Sequence, residues 1–570
     1  MASSAASTAA TATSTVGSDV DTTLPLEKKI SQAIDEGHDA DIPSNVGYVL
    51  DERGERRRKQ SIASRRGKSD ARKPGNDLEK GPASGAPVGN DDEDGDKAMD
   101  DTNVVWWDGP DDPENPYNWP GWRKALNVGC VSAMTLVSPL ASSIFAPGVP
   151  QVMAEFGSTS LELASFVVSV YVLGFAAGPM ILAPMSEIYG RVPIYHIGNI
   201  GFVAFTIGCA LAPSLNSLIA FRFLCGVFGS APMTNGGGTI ADIIEQSKRG
   251  GAMAAFSIGP LLGPIIGPVG GGFLADAKGW RWAFWLLVIV GGALTLTMLV
   301  VMKESYAPVV LGRKTARLRK DTGNQLLHSK LDAGLSATDY FKRGIVRPFR
   351  MLFFSPIVAI MAIYLAVVYS YLYLLFTTFT DVFMKTYDFS TSTVGLSYLG
   401  LGVGSMIGLA VFSMFSDKYL AKKAVETDAD GNKLGMKPEH RLPPVPVGAT
   451  LLPVGLFIYG WTAEYKVHWI VPIISTGIIG VGNLLVFMGV QLYLVDVFSI
   501  YAASALASNT VVRSIAGAVL PLAGLPMYEK LGLGWGNSLL GFIAIALVPV
   551  AVILMRYGEY LRKRFEIKDL

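Results

Sequence analysis

The chain has little charge and little cysteine. Only 17% of its 570 residues are Asp, Glu, Lys or Arg, against roughly a quarter in an ordinary soluble protein. Its three cysteines, Cys130, Cys209 and Cys225, cannot build a disulfide framework, and none has a zinc-type partner at close spacing. The five histidines (His38, His196, His328, His440 and His468) are scattered, so no catalytic constellation gathers in the apolar part of the chain. These shortages argue against a secreted disulfide scaffold, a metal centre, a cofactor site and an enzyme. The N-terminus lacks a basic start followed by an apolar core, so no cleavable signal peptide is expected.

The net charge of +1 conceals a division. Residues 1–120 carry 24 acidic and 14 basic residues, while residues 121–570 carry 23 acidic and 34 basic. Residues 1–103 combine an Ala/Ser/Thr-rich start, a basic cluster (Arg56-Arg57-Arg58-Lys59, then Arg65-Arg66) and an acidic run, Asp91-Asp92-Glu93-Asp94. Such a composition offers little area to bury against chain entropy, and a disordered cytoplasmic tail is expected. Its mixed charge makes a poor nucleic-acid surface, because the carboxylates repel phosphate. The tail ends in Trp106-Trp107 and Asp112-Pro113-Glu114-Asn115-Pro116-Tyr117-Asn118-Trp119, expected to settle on a membrane surface through its tryptophans.

What the chain has in abundance is long apolar runs. A helix needs about 20 apolar residues to cross a bilayer. Twelve stretches qualify, at about 125–147, 163–185, 196–214, 217–239, 252–273, 282–302, 352–378, 393–415, 446–462, 468–491, 503–526 and 536–556. The expected fold is therefore an all-α membrane protein. With the N-terminus placed in the cytoplasm, 27 Lys and Arg fall on the inner side and five on the outer. That asymmetry places both termini inside and requires an even number of crossings. Residues 303–351 form a strongly basic loop after the sixth run, which divides the body into halves of six: 104–302, and 352–556 followed by a short tail, 557–570. A faint repeat, Ala183-x-x-x-Glu187 and Ser413-x-x-x-Asp417, falls at the end of the second helix in each half.

Five charged residues stand out as candidates for gating and proton coupling. Glu187 and Arg191 flank a very short turn. A carboxylate there suits the positive end of a neighbouring helix, and the eleventh span near Ser504 is its expected partner. Arg222 and Arg513 lie within spans, where an arginine costs about 2.5–3.5 kcal/mol unless it faces a partner or a polar cavity. Asp242 sits near a cytoplasmic end, and no Asp or Glu lies at mid-span. In the fifth span, Gly259, Gly263, Gly267 and Gly271 recur every fourth residue among three prolines. Such a stripe allows close helix approach and bending, expected here between the two halves. Tyr369 and Tyr373, with Asn483, Gln491 and Asn509, are the candidate substrate contacts: aromatic walls with few polar groups suit an apolar organic compound.

Several segments together resemble the major facilitator superfamily. Gly263-x-x-x-Gly267-Pro268-x-x-Gly271-Gly272 is similar to its antiporter motif, Arg222 with Gly226 to its fourth-span motif, and Glu187-x-x-Gly190-Arg191 to its second-to-third loop. The loop departs from the usual pattern at Ala183, Glu187, Ile188 and Val192. The Asp112–Trp119 segment, Gly229-Ser230-Ala231-Pro232-x-Thr234-Asn235-Gly236-Gly237-Gly238 and Gly279-Trp280-Arg281-Trp282-Ala283-Phe284 resemble the fungal twelve-span drug:proton antiporters. The resemblance spans about residues 104–560. It implies the major facilitator fold, alternating access, and export of toxins, antifungal drugs or secondary metabolites in exchange for protons. The expected setting is a monomer in the plasma membrane, with the vacuolar membrane as the other possibility. A proton-coupled importer, or a polyamine or metabolite transporter on the same fold, is the alternative.

Overall fold

In the computed structural model, residues 103–245, 248–332, 334, 336–424, 438–498 and 501–565 are described. The expected disorder of residues 1–102 and the side chain of Asp417 lie outside them. Apolar sequence and serine caps set the helix boundaries. Helix α1 covers Gly121–Ser143. Helix α2, Leu161–Tyr189, starts where Ser160 Oγ accepts the Leu163 amide at 3.2 Å. Gly190, at φ 102°, turns the chain directly into α3, Arg191–Ala210. Helix α4, Leu215–Gly229, begins in a Ser214–Ser217 capping box and is followed by α5, Ala231–Ile243, with proline in its first turn. Helices α6 (Arg249–Lys278) and α7 (Arg281–Val301) are joined at Gly279, φ 87°.

Between the halves, the basic segment is more ordered than a loop. It forms α8, Ala307–Thr322, and α9, Ala337–Phe354. The second half contains α10 (Pro356–Tyr387), α11 (Tyr398–Ala424), α12 (Pro444–Glu464), α13 (Ile470–Phe498), α14 (Ala502–Val519) and α15 (Gly524–Arg564).

Among the described residues, eleven helical stretches have the length and hydropathy to cross a bilayer. The last, Ala502–Arg562, has 61 residues. At 1.5 Å per residue it would reach about 90 Å, three times a hydrocarbon core of roughly 30 Å. It is broken at Gly532 (φ 76°, ψ 171°), and the Leu533 and Gly534 amides that restart the helix donate to Glu464 Oε2 at 2.7 and 3.2 Å. This stretch therefore has the length and the break for two crossings.

The two halves repeat a packing mode. A side chain on Gly174 or Gly178 of α2 would collide with α4 backbone near Phe223 and Val227. Gly400, Gly404 and Gly408 of α11 lie equally close to the α13 backbone at Ile473, Gly477 and Val481. In each half, then, small residues on the second crossing helix admit the fourth.

The glycine stripe of α6 serves a different contact from the one expected. Gly259, Gly263, Gly267 and Gly271 all face α1, in the same half: a Cβ on Gly259 would come within 2.9 Å of the Leu136 amide nitrogen, and one on Gly263 within 2.8 Å of that of Leu140. The other half is met by neighbouring positions instead, where Pro268 lies against Gly395 and Ile265 against Gly402. A four-residue spacing defines one helix face only, and that face is taken by α1.

Candidate functional site

A cavity of about 130 Å³ lies between the halves. The first half contributes Pro139, Phe175, Met233, Pro264 and Ile265 to its wall. The second contributes Tyr369, Tyr373, Phe376, Asn483, Phe487 and Arg513, among others. Its wall is mostly apolar with a few convergent polar groups, the character of sites for small organic molecules. Tyr369 and Tyr373 fall one helical turn apart on α10, their rings 5.0 Å between centroids. Asn483 is held in place by its Nδ2 donating to Val368 O at 3.0 Å.

Four of the sequence-selected residues therefore meet here: Tyr369, Tyr373, Asn483 and Arg513. Gln491 and Asn509 do not line this cavity. Gln491 Oε1 and both polar atoms of Asn509 are buried without a hydrogen-bond partner among the described residues. Phe175, Met233 and Phe487 were missed. An isolated aromatic or methionine in an apolar run carries no mark that separates a cavity wall from packing.

Hydrogen bonds between the halves cluster toward the side that the charge count assigns to the outside. Ser142 Oγ and Tyr373 Oη lie 3.0 Å apart, Ser169 Oγ donates to Ala518 O at 2.8 Å, and Thr380 Oγ1 donates to Ala146 O at 3.3 Å. At the opposite end α9 lies against both halves: its Gly344 packs on Pro184 of α2, and its Pro348 carbonyl accepts from Ser508 Oγ of α14 at 2.6 Å.

Arg222 is 1% exposed and stands apart from the central cavity. Its guanidinium donates to the carbonyls of Ser142 (3.1 Å), Val168 (3.3 Å) and Ala141 (3.5 Å), and it lies over the rings of Phe145, Tyr171 and Phe284. A planar fork with several fixed donors can hold three carbonyls from two helices at once. Here it ties α1 to α2.

The short turn after α2 builds an electrostatic knot. Arg191 Nε lies 3.2 Å from Asp242 Oδ2, and its Nη1 donates to Ser186 Oγ at 2.7 Å. Ser186 in turn donates to Asn235 Oδ1 at 3.0 Å. Glu304, just beyond α7, accepts the Arg191 and Val192 amides at 2.9 and 3.2 Å and so caps α3. A carboxylate at a helix N-terminus satisfies its free amides and complements its dipole. Gly190 leaves room for it, since a Cβ there would strike the Glu304 carboxylate. Glu187 is solvent-exposed and makes no hydrogen bond or ion pair among the described residues, so the contact expected near Ser504 is not formed. Glu304, rather than Glu187, is the carboxylate that caps a helix here, and that helix is α3 of the same half. Its only sequence signal was an acidic residue directly following a span.

The segment before α1 forms a clasp with the segment after α7. Asp112 Oδ2 and Oδ1 accept the amides of Asp108 (2.9 Å) and Glu114 (2.8 Å), and Lys314 Nζ of α8 sits 3.2 Å from Oδ2. Burial alone would raise the Asp112 pKa, but the two amides and the ammonium hold it below the ordinary 3.8. Burial would lower that of Lys314, yet its contacts with Asp108 and Asp112 raise it above 10.5. A parallel pairing of β1 (Val104–Val105) with β2 (His328–Ser329) and Arg317–Glu114 at 2.8 Å extend the join. Trp119 is buried against Ile240 and Ile243 instead of meeting lipid.

Comparison with known proteins gives this geometry its family. Residues 131–521 match the family model described as Major Facilitator Superfamily. The MFS-type transporter tndD of Aspergillus flavipes is 59% identical over 82% of this chain and 87% of its own length. The MFS-type transporter penM of Penicillium rubens is 53% identical over 87% and 95%, and the efflux pump radE of Floropilus chiversii 51% identical over 82% and 87%. Among solved structures, the xylose transporter XylE from E. coli overlaps 77% of this chain and 98% of its own with a TM-score of 0.57; at 15% identity this likeness concerns the fold alone. The chain belongs to the major facilitator superfamily and is a multi-pass membrane transporter, not an enzyme.

Proposed function

We propose that this transporter exports small, mostly apolar organic compounds in exchange for protons, by alternating access around the central cavity. The observation that carries the reading is the cavity itself: aromatic and apolar side chains from both halves enclose it, so tilting one half against the other would change the side on which it opens. The hydrogen bonds between halves toward the outer side supply contacts that break and reform in such a cycle. The fungal relatives, one of them named an efflux pump, support the outward direction. In this reading the chain crosses twelve times, works as a monomer in the plasma membrane, and keeps both termini in the cytoplasm.

Proton exchange supplies an adequate drive. One charge crossing about 100 mV contributes about 2.3 kcal/mol. One pH unit adds roughly 1.4 kcal/mol. Together they sustain a gradient of about several-hundredfold per proton. The charged groups nearest the cytoplasmic end of the first half, Arg191 and Asp242 with Glu304, are the proposed coupling and gating network; Arg222 ties α1 to α2 farther along the half, and Arg513 acts within the cavity.

The test is release of two fluorescent aromatic probes, dansylamide and dansylate, from cells or vesicles containing the protein. Protonophore-sensitive release of either above that of protein-free controls supports the reading. Protein-dependent accumulation against the gradient instead would make it an importer.

A further inference from the structure

We propose that the central cavity binds organic anions: a flat, apolar body carrying a carboxylate, sulfonate or acidic phenol, whose charge is met by Arg513. The proposal deepens, and rests on, the reading of this cavity as the transport site.

Four charged nitrogen-bearing side chains are buried among the described residues: Arg191, Arg222, Lys314 and Arg513. Three have oxygen acceptors. Arg191 faces Asp242, Lys314 faces Asp112 and Asp108, and Arg222 holds three backbone carbonyls. Arg513 differs. It is 8% exposed, it lines the cavity, and among the described residues it makes neither an ion pair nor a hydrogen bond; its Nε is buried without an acceptor.

Two rings flank the guanidinium, Tyr369 at 4.8 Å and Phe487 at 5.1 Å. Ring faces attract a cation and offset part of its desolvation, but they leave the in-plane N–H donors unused. No Asp or Glu is among the residues lining the cavity. A buried charge without a counter-charge is costly, and a guanidinium fork is shaped for a planar two-oxygen anion. An incoming carboxylate or sulfonate would satisfy both conditions. The rest of the wall, including Pro264, Ile265 and Phe376, offers no charge of its own and suits an aromatic body. A cationic compound would meet Arg513 as a like charge and be rejected.

The experiment uses the full chain in lipid nanodiscs and a matched pair of probes. Dansylate (a permanent sulfonate) and dansylamide (neutral at pH 7) share one ring system and differ in charge. Binding of both is measured for wild type, Arg513→Gln and Arg513→Lys, together with proton-driven release of dansylate from proteoliposomes. Wild type is expected to bind dansylate about tenfold or more tightly than dansylamide. Arg513→Gln should lose that preference while keeping its dansylamide affinity within about threefold, and Arg513→Lys should retain part of it. Equal wild-type affinities, absent dansylate binding, or a loss in Arg513→Gln that is the same for both probes overturns the proposal. Should Arg513→Gln fail to fold, the wild-type comparison and Arg513→Lys decide it. Arg513-dependent binding without proton-driven release would uphold the anion site and refute the exporter reading. Release of dansylamide without preference for dansylate would do the reverse.

Discussion

Lys314 Nζ lies 3.2 Å from Asp112 Oδ2, and both side chains are buried. The pair joins the segment leading into α1 to the helix that follows α7, and so ties the entrance of the first half to its exit. Lys314→Met should release this clasp. Removing one partner of a buried pair strands the other charge and costs about 3 kcal/mol. Hydrogen exchange of residues 103–119 should accelerate by about a hundredfold, while the α10–α15 half is unaffected. The pH dependence follows from both shifts. The depressed Asp112 adds stability above the ordinary 3.8, lost as pH falls through its folded value; the raised Lys314 adds stability below 10.5, lost as pH rises through its folded value. Clasp protection should therefore be flat between those limits and fall outside them.

The contact between α6 and α1 depends on missing side chains. Gly271→Ala should lower the thermal midpoint of purified protein clearly, because the added carbon runs into the Ile144 carbonyl. Overpacking of this kind costs about 1–3 kcal/mol. Gly270→Ala, one residue away with open space around it, is the control and should be neutral or slightly stabilising. Equal melting of the two variants would remove the packing argument.

Glu304→Ala should destabilise the start of α3, since the amides of Arg191 and Val192 lose their acceptor. A lost N-terminal cap costs about 1 kcal/mol, here with the charge–dipole contribution added. Transport should fall with it if the knot holds this end of the first half together. Glu187→Ala should be the milder change, because Glu187 has no hydrogen bond or ion pair to lose among the described residues. The opposite ranking, measured by melting and transport in parallel, would make Glu187 the more important carboxylate of this turn.

Arg222→Ala should reduce transport at least tenfold while the protein still reaches the membrane. The three carbonyls it serves on α1 and α2 would then lose the donor that joins the two helices in an apolar interior. Arg222→Lys should not rescue fully, because one ammonium cannot reproduce the fork. Undiminished transport by Arg222→Ala would contradict the role.

The crossing helices were legible because a bilayer imposes a length and an apolar composition that few other structures need, and the basic segment 303–351 marked the midpoint. The sequence also marked Arg222, Arg513 and Asp242, since a charge in or beside an apolar run is conspicuous. It hid partners. Nothing in the chain near Arg191 points to Glu304, more than a hundred residues away. Trp119 reads as an interfacial anchor until Ile240 and Ile243 are seen against it. The glycines of α6 declared a close contact but not with which helix, because a one-face pattern carries no label for the surface it meets. Aromatic composition suggested a cavity wall, yet only the fold separates Tyr369 from Asn509.

If transport proceeds by movement of the two halves, joining them must stop it. Ser169 and Ala518 touch across the halves at 2.8 Å. The double variant Ser169→Cys/Ala518→Cys, reconstituted in proteoliposomes loaded with dansylate, is oxidised and then reduced while the outside is acidified. Release should cease when the halves are joined and recover on reduction. Equal release in both states, with the cross-link confirmed, would contradict alternating access around this cavity.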